Sequence, residues 1–364
     1  MPDSDSLVHV NLSDRSYDIE IGEGNLAGIA SFIEARRDTS HVVVITDSNV
    51  DPLHGDRAAD LVNEASIEAH VLVVDAGEAS KAPEVAQDLW ETMLEEGVDR
   101  SSTVLAVGGG VVGDLAGFVA ATYARGLAFF QAPTTLLAQV DSSVGGKVGV
   151  NLPGGKNMVG AFWQPQGVLI DVQVLTTLPD RDYRSGLAEV VKYGVILDAD
   201  FFAYLEQHTD EINARDPAVL KHIIARSCRL KADVVEADER EESGRRAILN
   251  YGHTFCHAIE AATGYSSVLH GEGVAMGMLC ASRLAQSLGM IDSAATERQQ
   301  ALLEKLGLPV TVPADLDSEQ LYELMWRDKK VQAGQIRFIL PKRIGEVDLV
   351  GNVSSEAVLA AIHG

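Results

Sequence analysis

Basic residues are scarce in this chain of 364: 29 lysines and arginines stand against 53 aspartates and glutamates, a formal net charge of −24. Binding a phosphate backbone needs a basic surface, so nucleic acid is excluded as a general partner. Cysteine is scarcer still, with only Cys228, Cys256 and Cys280 and no C-x-x-C spacing. That excludes a disulfide framework and a thiolate zinc site, and it suits a reducing cytoplasm. No uncharged apolar run reaches the roughly 20 residues of a membrane-spanning helix. The opening segment, Met1-Pro-Asp-Ser-Asp-Ser6, lacks the positive start and apolar stretch of a secretion signal. Repeats and low-complexity segments are absent too. What remains is globular in character, with 46% hydrophobic and 23% charged residues and a length that suits two domains. Thirty-three glycines add many tight turns and close backbone approaches.

The first half alternates short β-branched runs with helical patterns. Val42 to Thr46, Val71 to Asp75, Thr103 to Val107, Phe129 to Ala132 and Val168 to Asp171 read as buried strands, while Leu7 to Leu12 and Tyr17 to Ile21 read as a hairpin or edge pair. This alternation predicts a parallel sheet with helices on both faces. After Leu178-Pro179 the character changes to helices at about 181–197, 217–238, 254–263, 271–288, 294–306 and 318–329. A late hairpin, Ile336 to Leu340 with Val347 to Val350, precedes a last helix capped by Ser354 or Ser355. The expectation is therefore an α/β protein: a Rossmann-like parallel-sheet domain over 1–178 and a mostly α-helical domain over 179–364.

Thr103 to Val107 runs straight into Gly108-Gly-Gly-Val-Val-Gly-Asp114, which matches G-x-G-x-x-G between a strand and a helix. Glycines there let backbone amides approach a pyrophosphate at a helix N-terminus, although tight strand-to-helix packing asks for the same residues. The motif sits on a middle strand, and Pro133-Thr134-Thr135 stands where the ribose-binding acid usually ends the next one. Asp47, at the end of an earlier strand, can take that role. Glu78 and Lys81 follow another strand, and together with Thr134 and Thr135 they suit one ligand crevice at strand carboxyl ends.

Asp141-Ser-Ser-Val-Gly-Gly-Lys147 and Asn151-Leu-Pro-Gly-Gly-Lys156-Asn157 place lysines in glycine-rich loops of an acidic protein. Such loops bring backbone and cation together around anions, which implies a phosphorylated or carboxylated substrate. Arg246, Asn250 and the pair Lys329-Lys330 add to this set, the lysine pair having a solvated helix end as its ordinary alternative. Asn250 to Glu272 holds three of the ten histidines and two carboxylates. On a helix His253 and His257 share a face and can converge on one metal ion or one substrate; two ordinary histidines have the same spacing. His270 and Glu272, flanked by small residues, favour a site. Glu189 and Lys192 share a helix face whose other residues are apolar, so Glu189 suits a third metal ligand beside two histidines.

Taken together, the glycine motif, Thr122-Tyr-Ala-Arg125-Gly126, the two lysine loops, Leu187-Ala-Glu189-Val-Val-Lys192-Tyr-Gly194, Glu241-Glu-Ser-Gly-Arg-Arg246, Asn250 to Glu260, Leu269-His270-Gly-Glu272 and Asp328-Lys-Lys-Val331 resemble the 3-dehydroquinate synthase family of sugar phosphate cyclases over about 40–345. The resemblance implies a carbon–oxygen lyase of the shikimate pathway, which leads to chorismate and the aromatic amino acids. Its substrate would be 3-deoxy-D-arabino-heptulosonate 7-phosphate, converted to 3-dehydroquinate and phosphate by transient NAD oxidation, phosphate β-elimination, reduction and intramolecular aldol closure. It assigns Zn2+ or Co2+ to Glu189, His253 and His270, and makes His257 a substrate-facing proton-transfer residue rather than a ligand. For NAD it points to Asp47, Glu78, Lys81, Gly109, Gly110, Val111, Asp114, Thr134, Thr135, Lys156 and Thr177. For the substrate it implies Asp141, Lys147, Asn157, Lys192, Lys231, Arg246, Asn250 and Lys330, with Lys147, Lys192, Glu189, Asn250 and Arg246 also in the catalytic set. Arg125 would reach the phosphate from a neighbouring subunit of a homodimer, in the cytoplasm. Ala124, Val148 and Cys256 depart from the methionine, threonine and glycine common at those places. A metal-dependent polyol dehydrogenase of the glycerol dehydrogenase type is the alternative; it would release NADH. A non-catalytic NAD-sensing module has no use for the metal and lysine sets.

Overall fold

Strand β3 (His41–Asp47) shows how the parallel sheet is built. Val42 and Val44 belong to one buried cluster, with Leu105, Val107, Phe130 and Ala132; Val43 and Ile45 belong to another, with Val104, Ala106 and Phe129. Side chains alternate along a strand, so a run that is apolar at every position must be covered on both faces. The covering helices are Ile29–Glu34 and Asp56–Glu64 on one face and Pro83–Glu95 and Gly110–Thr122 on the other.

The computed structural model describes residues 6–264, 267–326 and 336–363. Its first unit is Met1–Pro179 with Leu220–Arg240, and its second is Asp180–Val219 with Glu241–Gly364. Most of the helix Pro217–Ala237 thus packs with the first unit, which a single cut after residue 178 does not anticipate.

Besides β3, the sheet of the first unit holds β1 (Leu7–Val10), β2 (Tyr17–Gly22), β4 (Glu68–Val74), β5 (Thr103–Gly108), β6 (Ala128–Pro133) and β9 (Gly167–Asp171). Its order is β1-β2-β9-β6-β5-β3-β4. All neighbours pair in parallel except β1 and β2, the edge pair expected from the sequence. The chain runs outward from β3 to β4 and then returns to the other side of β3 as β5. The carboxyl ends of β3 and β5 therefore flank the switch point where open α/β sheets bind ligands.

The glycine-rich segment from Lys147, expected as loops, forms a separate antiparallel hairpin of β7 (Lys147–Leu152) and β8 (Gly155–Phe162). A Cβ on Gly149 would lie 2.6 Å from the Val159 carbonyl oxygen, and one on Gly160 would lie 2.2 Å from that of Val148. The glycines serve close backbone approach inside the hairpin rather than loop freedom.

The second unit is mostly helical. Asp180–Leu197, His253–Ala262, His270–Ser287 and Ser293–Lys305 form where the periodicity places them, Ala199–Gln207 and Thr209–Asn213 are additional, and where a helix is expected over 318–329 the structure has Ser318–Met325, capped at Trp326, with 327–329 outside the described residues. Asp198, Asp292 and Asp317 accept hydrogen bonds from the first-turn amides of the helices they precede. The late hairpin is β10 (Phe338–Arg343) with β11 (Glu346–Val350), and the Ala357 amide donates to Ser354 Oγ at the start of the last helix. Among the described residues no helix is long and apolar enough to cross a membrane, and the three cysteines are buried and unbridged.

Candidate active site

At the switch point of the first unit, Gly109 and Gly110 lead from β5 into the helix Gly110–Thr122, with Val111 half-buried in its first turn. A Cβ on Gly109 would come within 3.0 Å of the Thr135 methyl group, and one on Gly110 within 3.1 Å of Ser142 Oγ. The Thr134 amide donates to the Gly108 carbonyl at 2.9 Å, while its buried hydroxyl has no hydrogen-bond partner. Thr135 Oγ1 accepts from the Ala138 amide. Asp47, ending β3, accepts from the amides of Asn49 and Val50. Thr177 bonds to His54 at 2.9 Å.

Lys81 links three of the expected residues. Its buried ammonium meets Asp114 in an ion pair and also donates to Asn157 Oδ1. Burial pushes the Asp114 carboxyl pKa up and Lys81 pulls it down, with a net upward direction. Glu78 accepts from the Asn151 side chain at 2.7 Å and lies 3.8 Å from Lys156 Nζ. Asn157, read as a substrate residue, thus sits with residues read as nucleotide-binding. On the same unit, Lys231 reaches Asp141 through its carboxylate at 2.9 Å and its carbonyl at 2.7 Å. Lys147 and Arg125 are exposed, Arg125 in a left-handed turn at φ 70°.

In the second unit a carboxylate and two imidazoles converge. Glu189, only 1% exposed, places Oε1 3.6 Å from His253 Nε2 and 3.9 Å from His270 Nε2. It is in ion-pair contact with Lys192, equally buried, yet neither of its oxygens accepts a hydrogen bond. Lys192 offsets part of the cost of burying this carboxylate, and the two oxygens without hydrogen bonds leave room for a further cation to offset more. The imidazoles are held from behind: His253 Nδ1 faces the Tyr251 carbonyl at 3.1 Å and His270 Nδ1 faces Glu260 Oε1 at 3.3 Å. Burial works against charge on His270, but Cys256 and Glu260 outweigh it and hold its pKa well above the ordinary value. Glu189, His253 and His270 therefore present one carboxylate oxygen and two imidazole nitrogens to a common point, a set suited to a divalent cation with an open position.

Glycines and one tyrosine bring these side chains together. His253 and His270 each open a helix. A Cβ on Gly271 would fall 1.8 Å from the Ser185 carbonyl oxygen, so the His270 helix abuts the Glu189 helix one turn before Glu189. A Cβ on Gly277 would fall 2.1 Å from the carbonyl oxygen of Gly252, itself left-handed at φ 79°. Buried Tyr251 anchors that turn, with its hydroxyl 2.9 Å from the Met278 carbonyl and 2.7 Å from Gln299 Oε1.

His253 and His257 do not point at one site as joint ligands: their rings stand edge to face at 5.7 Å, and the second imidazole beside Glu189 is that of His270. Arg246 is buried and Asn250 half-buried in the turn Arg245–Asn250. Lys329 and Lys330 lie outside the described residues. Glu260 received no role from the sequence; its signal is a carboxylate seven residues after His253, on the same helix face.

The fold defines the class first. It is shared with a probable glycerol dehydrogenase from Sinorhizobium meliloti, at TM-score 0.60 and 16% identity over 94% of each chain, a likeness of fold alone. The sequence narrows this much further. Residues 71–185 match the model of the 3-dehydroquinate synthase N-terminal region and 186–331 that of the C-terminal region. A 3-dehydroquinate synthase from Rhodopirellula baltica is 52% identical, over 98% of this chain and 96% of that one. The chain belongs to the 3-dehydroquinate synthase family. Among solved structures, 2-deoxy-scyllo-inosose synthase complexed with carbaglucose-6-phosphate, NAD+ and Co2+ is similar at TM-score 0.89 and 28% identity, over 98% of this chain and 99% of that one. 2-epi-5-epi-valiolone synthase from Streptomyces hygroscopicus, with NAD+ and Zn2+ bound, reaches TM-score 0.87 and 30% identity, over 96% and 97%.

Proposed function

We propose that this chain converts 3-deoxy-D-arabino-heptulosonate 7-phosphate to 3-dehydroquinate and phosphate. The observation that carries the reading is the convergence of Glu189, His253 and His270 in a chain 52% identical to a 3-dehydroquinate synthase. The Glu189 carboxylate, which accepts no hydrogen bond beside its ion pair with Lys192, fits a divalent cation, Zn2+ or Co2+, and the glycine turn with Asp47 at the switch point fits NAD. When bound, NAD supplies a hydride acceptor that is restored within each turnover, and the cation supplies a Lewis acid for substrate hydroxyls.

The chain's own residues bind, orient and move protons. Asp47, Glu78, Lys81, Gly109, Gly110, Val111, Asp114, Thr134, Thr135, Lys156 and Thr177 hold the nucleotide. Lys147, Lys231, Arg246 and Lys330 neutralise the carboxylate and phosphate of the substrate, which the acidic remainder of the protein would otherwise repel. Asp141, Asn157 and Asn250 fix its hydroxyls. Lys192, buried against Glu189, holds positive charge where negative charge develops on the substrate. His257, whose ring meets that of His253 edge to face, exchanges a proton with the substrate.

The protein acts as a homodimer in the cytoplasm, with Arg125 reaching the phosphate bound to the partner. In support, β8 pairs with β7 on one edge only among the described residues, and the hairpin exposes Leu152, Met158, Val159 and Phe162. Buried, unbridged cysteines suit that compartment.

Phosphate release from the heptulosonate with the cation and a trace of NAD tests the reaction, with NADH absorbance followed in the same cuvette. Many phosphates per NAD without accumulating NADH support the reading. NADH accumulating with polyols, and no phosphate release, would move the chain to the dehydrogenase alternative.

A further inference from the structure

We infer that Glu260 is a positioning residue for the cation site, fixing the orientation and tautomer of His270 so that Nε2 is presented to the cation; the inference rests on the cation reading above. Glu260 lies on the helix His253–Ala262, two turns beyond His253. Its side chain is 9% exposed, and Oε1 stands 3.3 Å from His270 Nδ1. A neutral imidazole carries one N–H, and an ionised carboxylate only accepts. In the neutral form that binds a cation, the remaining proton therefore sits on Nδ1, which leaves the Nε2 lone pair on the side of Glu189, 3.9 Å away. A carboxylate behind the ring also makes that lone pair more basic than a neutral acceptor would.

The surrounding residues restrict the ring further. Cys256 Sγ lies 3.9 Å from the same Nδ1 and 3.6 Å from the His270 carbonyl oxygen. A Cβ on Gly273 would come within 2.8 Å of that sulfur. Cysteine at a place where glycine is common in the family is thus accommodated by the glycine opposite. His253 Nδ1 faces the neutral carbonyl of Tyr251 at 3.1 Å.

The test uses the full chain stripped of metal and titrated with Co2+, reading the visible absorption of the bound ion. Glu260→Ala should bind Co2+ about 10- to 100-fold more weakly than the wild type. Glu260→Gln keeps the shape and an acceptor oxygen but loses the charge, and should lose several-fold to about tenfold in affinity. Unfolding of the same metal-free proteins separates a packing role: a residue needed only for packing lowers the metal-free stability and leaves Co2+ affinity of the folded protein unchanged. Unchanged affinity in Glu260→Ala overturns the inference while leaving the cation site standing. Should that variant fail to fold, unchanged affinity in Glu260→Gln overturns it equally. A wild type that takes up no Co2+ would remove the cation reading itself, and this inference with it.

Discussion

The charged groups at the switch point of the first unit hydrogen-bond one another, whereas the carboxylate at the centre of the second, though paired with Lys192, accepts no hydrogen bond. Lys81 is engaged by Asp114 and Asn157, Lys231 by Asp141, and Asp47 by its own turn. Glu189 is just as buried, yet its oxygens accept no hydrogen bond while two imidazoles face it. A ligand arriving at the first site must exchange existing hydrogen bonds for new ones, so its net gain is small and its release easy. A cation arriving at the second site relieves a cost already present. Such a division suits a nucleotide held by replaced hydrogen bonds and a metal held by charge.

The largest effect should come from removing that central carboxylate. Glu189→Gln is expected to abolish metal retention and to lower turnover by about 10³-fold or more, since a Lewis acid stabilises developing charge by several kcal/mol. Metal analysis of the purified protein and phosphate release check both parts. His257→Ala should lower turnover by about 10²- to 10⁴-fold, the range for a lost proton-transfer group, with metal content unchanged. A variant losing its metal would show that the two imidazoles on that helix act as joint ligands after all.

On the other side of the comparison, Asp114→Ala leaves the Lys81 ammonium buried without its carboxylate. Breaking such a pair costs about 3 kcal/mol, read by denaturant unfolding, and should leave metal affinity unchanged. Joining it to Lys81→Met should recover most of the loss, since the unpaired charge is then gone. The smallest effect concerns Glu236, on the helix Pro217–Ala237. Burial opposes its charge, but the Asn11 amide and Arg229 outweigh that and hold its carboxyl below the ordinary value. A lowered folded-state pKa gives stability that is present above the unfolded value and lost as pH falls through the folded one. Glu236→Gln should therefore cost about 1 kcal/mol near neutrality, and the cost should shrink as pH falls below the ordinary carboxylate range, measured by unfolding at each pH.

The two regions were not equally legible in the sequence. Strands buried on both faces announce themselves as β-branched runs, so β3, β4, β5, β6 and β9 appear where Val42, Val71, Thr103, Phe129 and Val168 point, and the glycine turn follows directly from β5. What the crevice residues touch was not legible: Lys81 meets Asp114 and Asn157, which are 33 and 76 residues away. The hairpin β7–β8 was hidden because glycine reads as a loop, while Gly149 and Gly160 sit there to let two backbones approach. In the second unit, the i, i+4 spacing of His253 and His257 points to the right helix but leaves open whether both imidazoles face one ion. Helical periodicity reports a shared face, not which neighbouring element that face meets. His270 reaches Glu189 because Gly271 brings its helix against Ser185, a contact that no local pattern encodes. Likewise the helix Pro217–Ala237 was visible as a helix, but its partner elements were not.

The central claim is that Glu189, His253 and His270 together retain a divalent cation and that His257 does not. The most direct measurement is the metal retained by purified His253→Ala, His270→Ala and His257→Ala beside the wild type, after dialysis against a weak chelator. Metal retained by the wild type and His257→Ala, and lost from the other two, is the predicted result. Loss from His257→Ala together with retention by His270→Ala would contradict it.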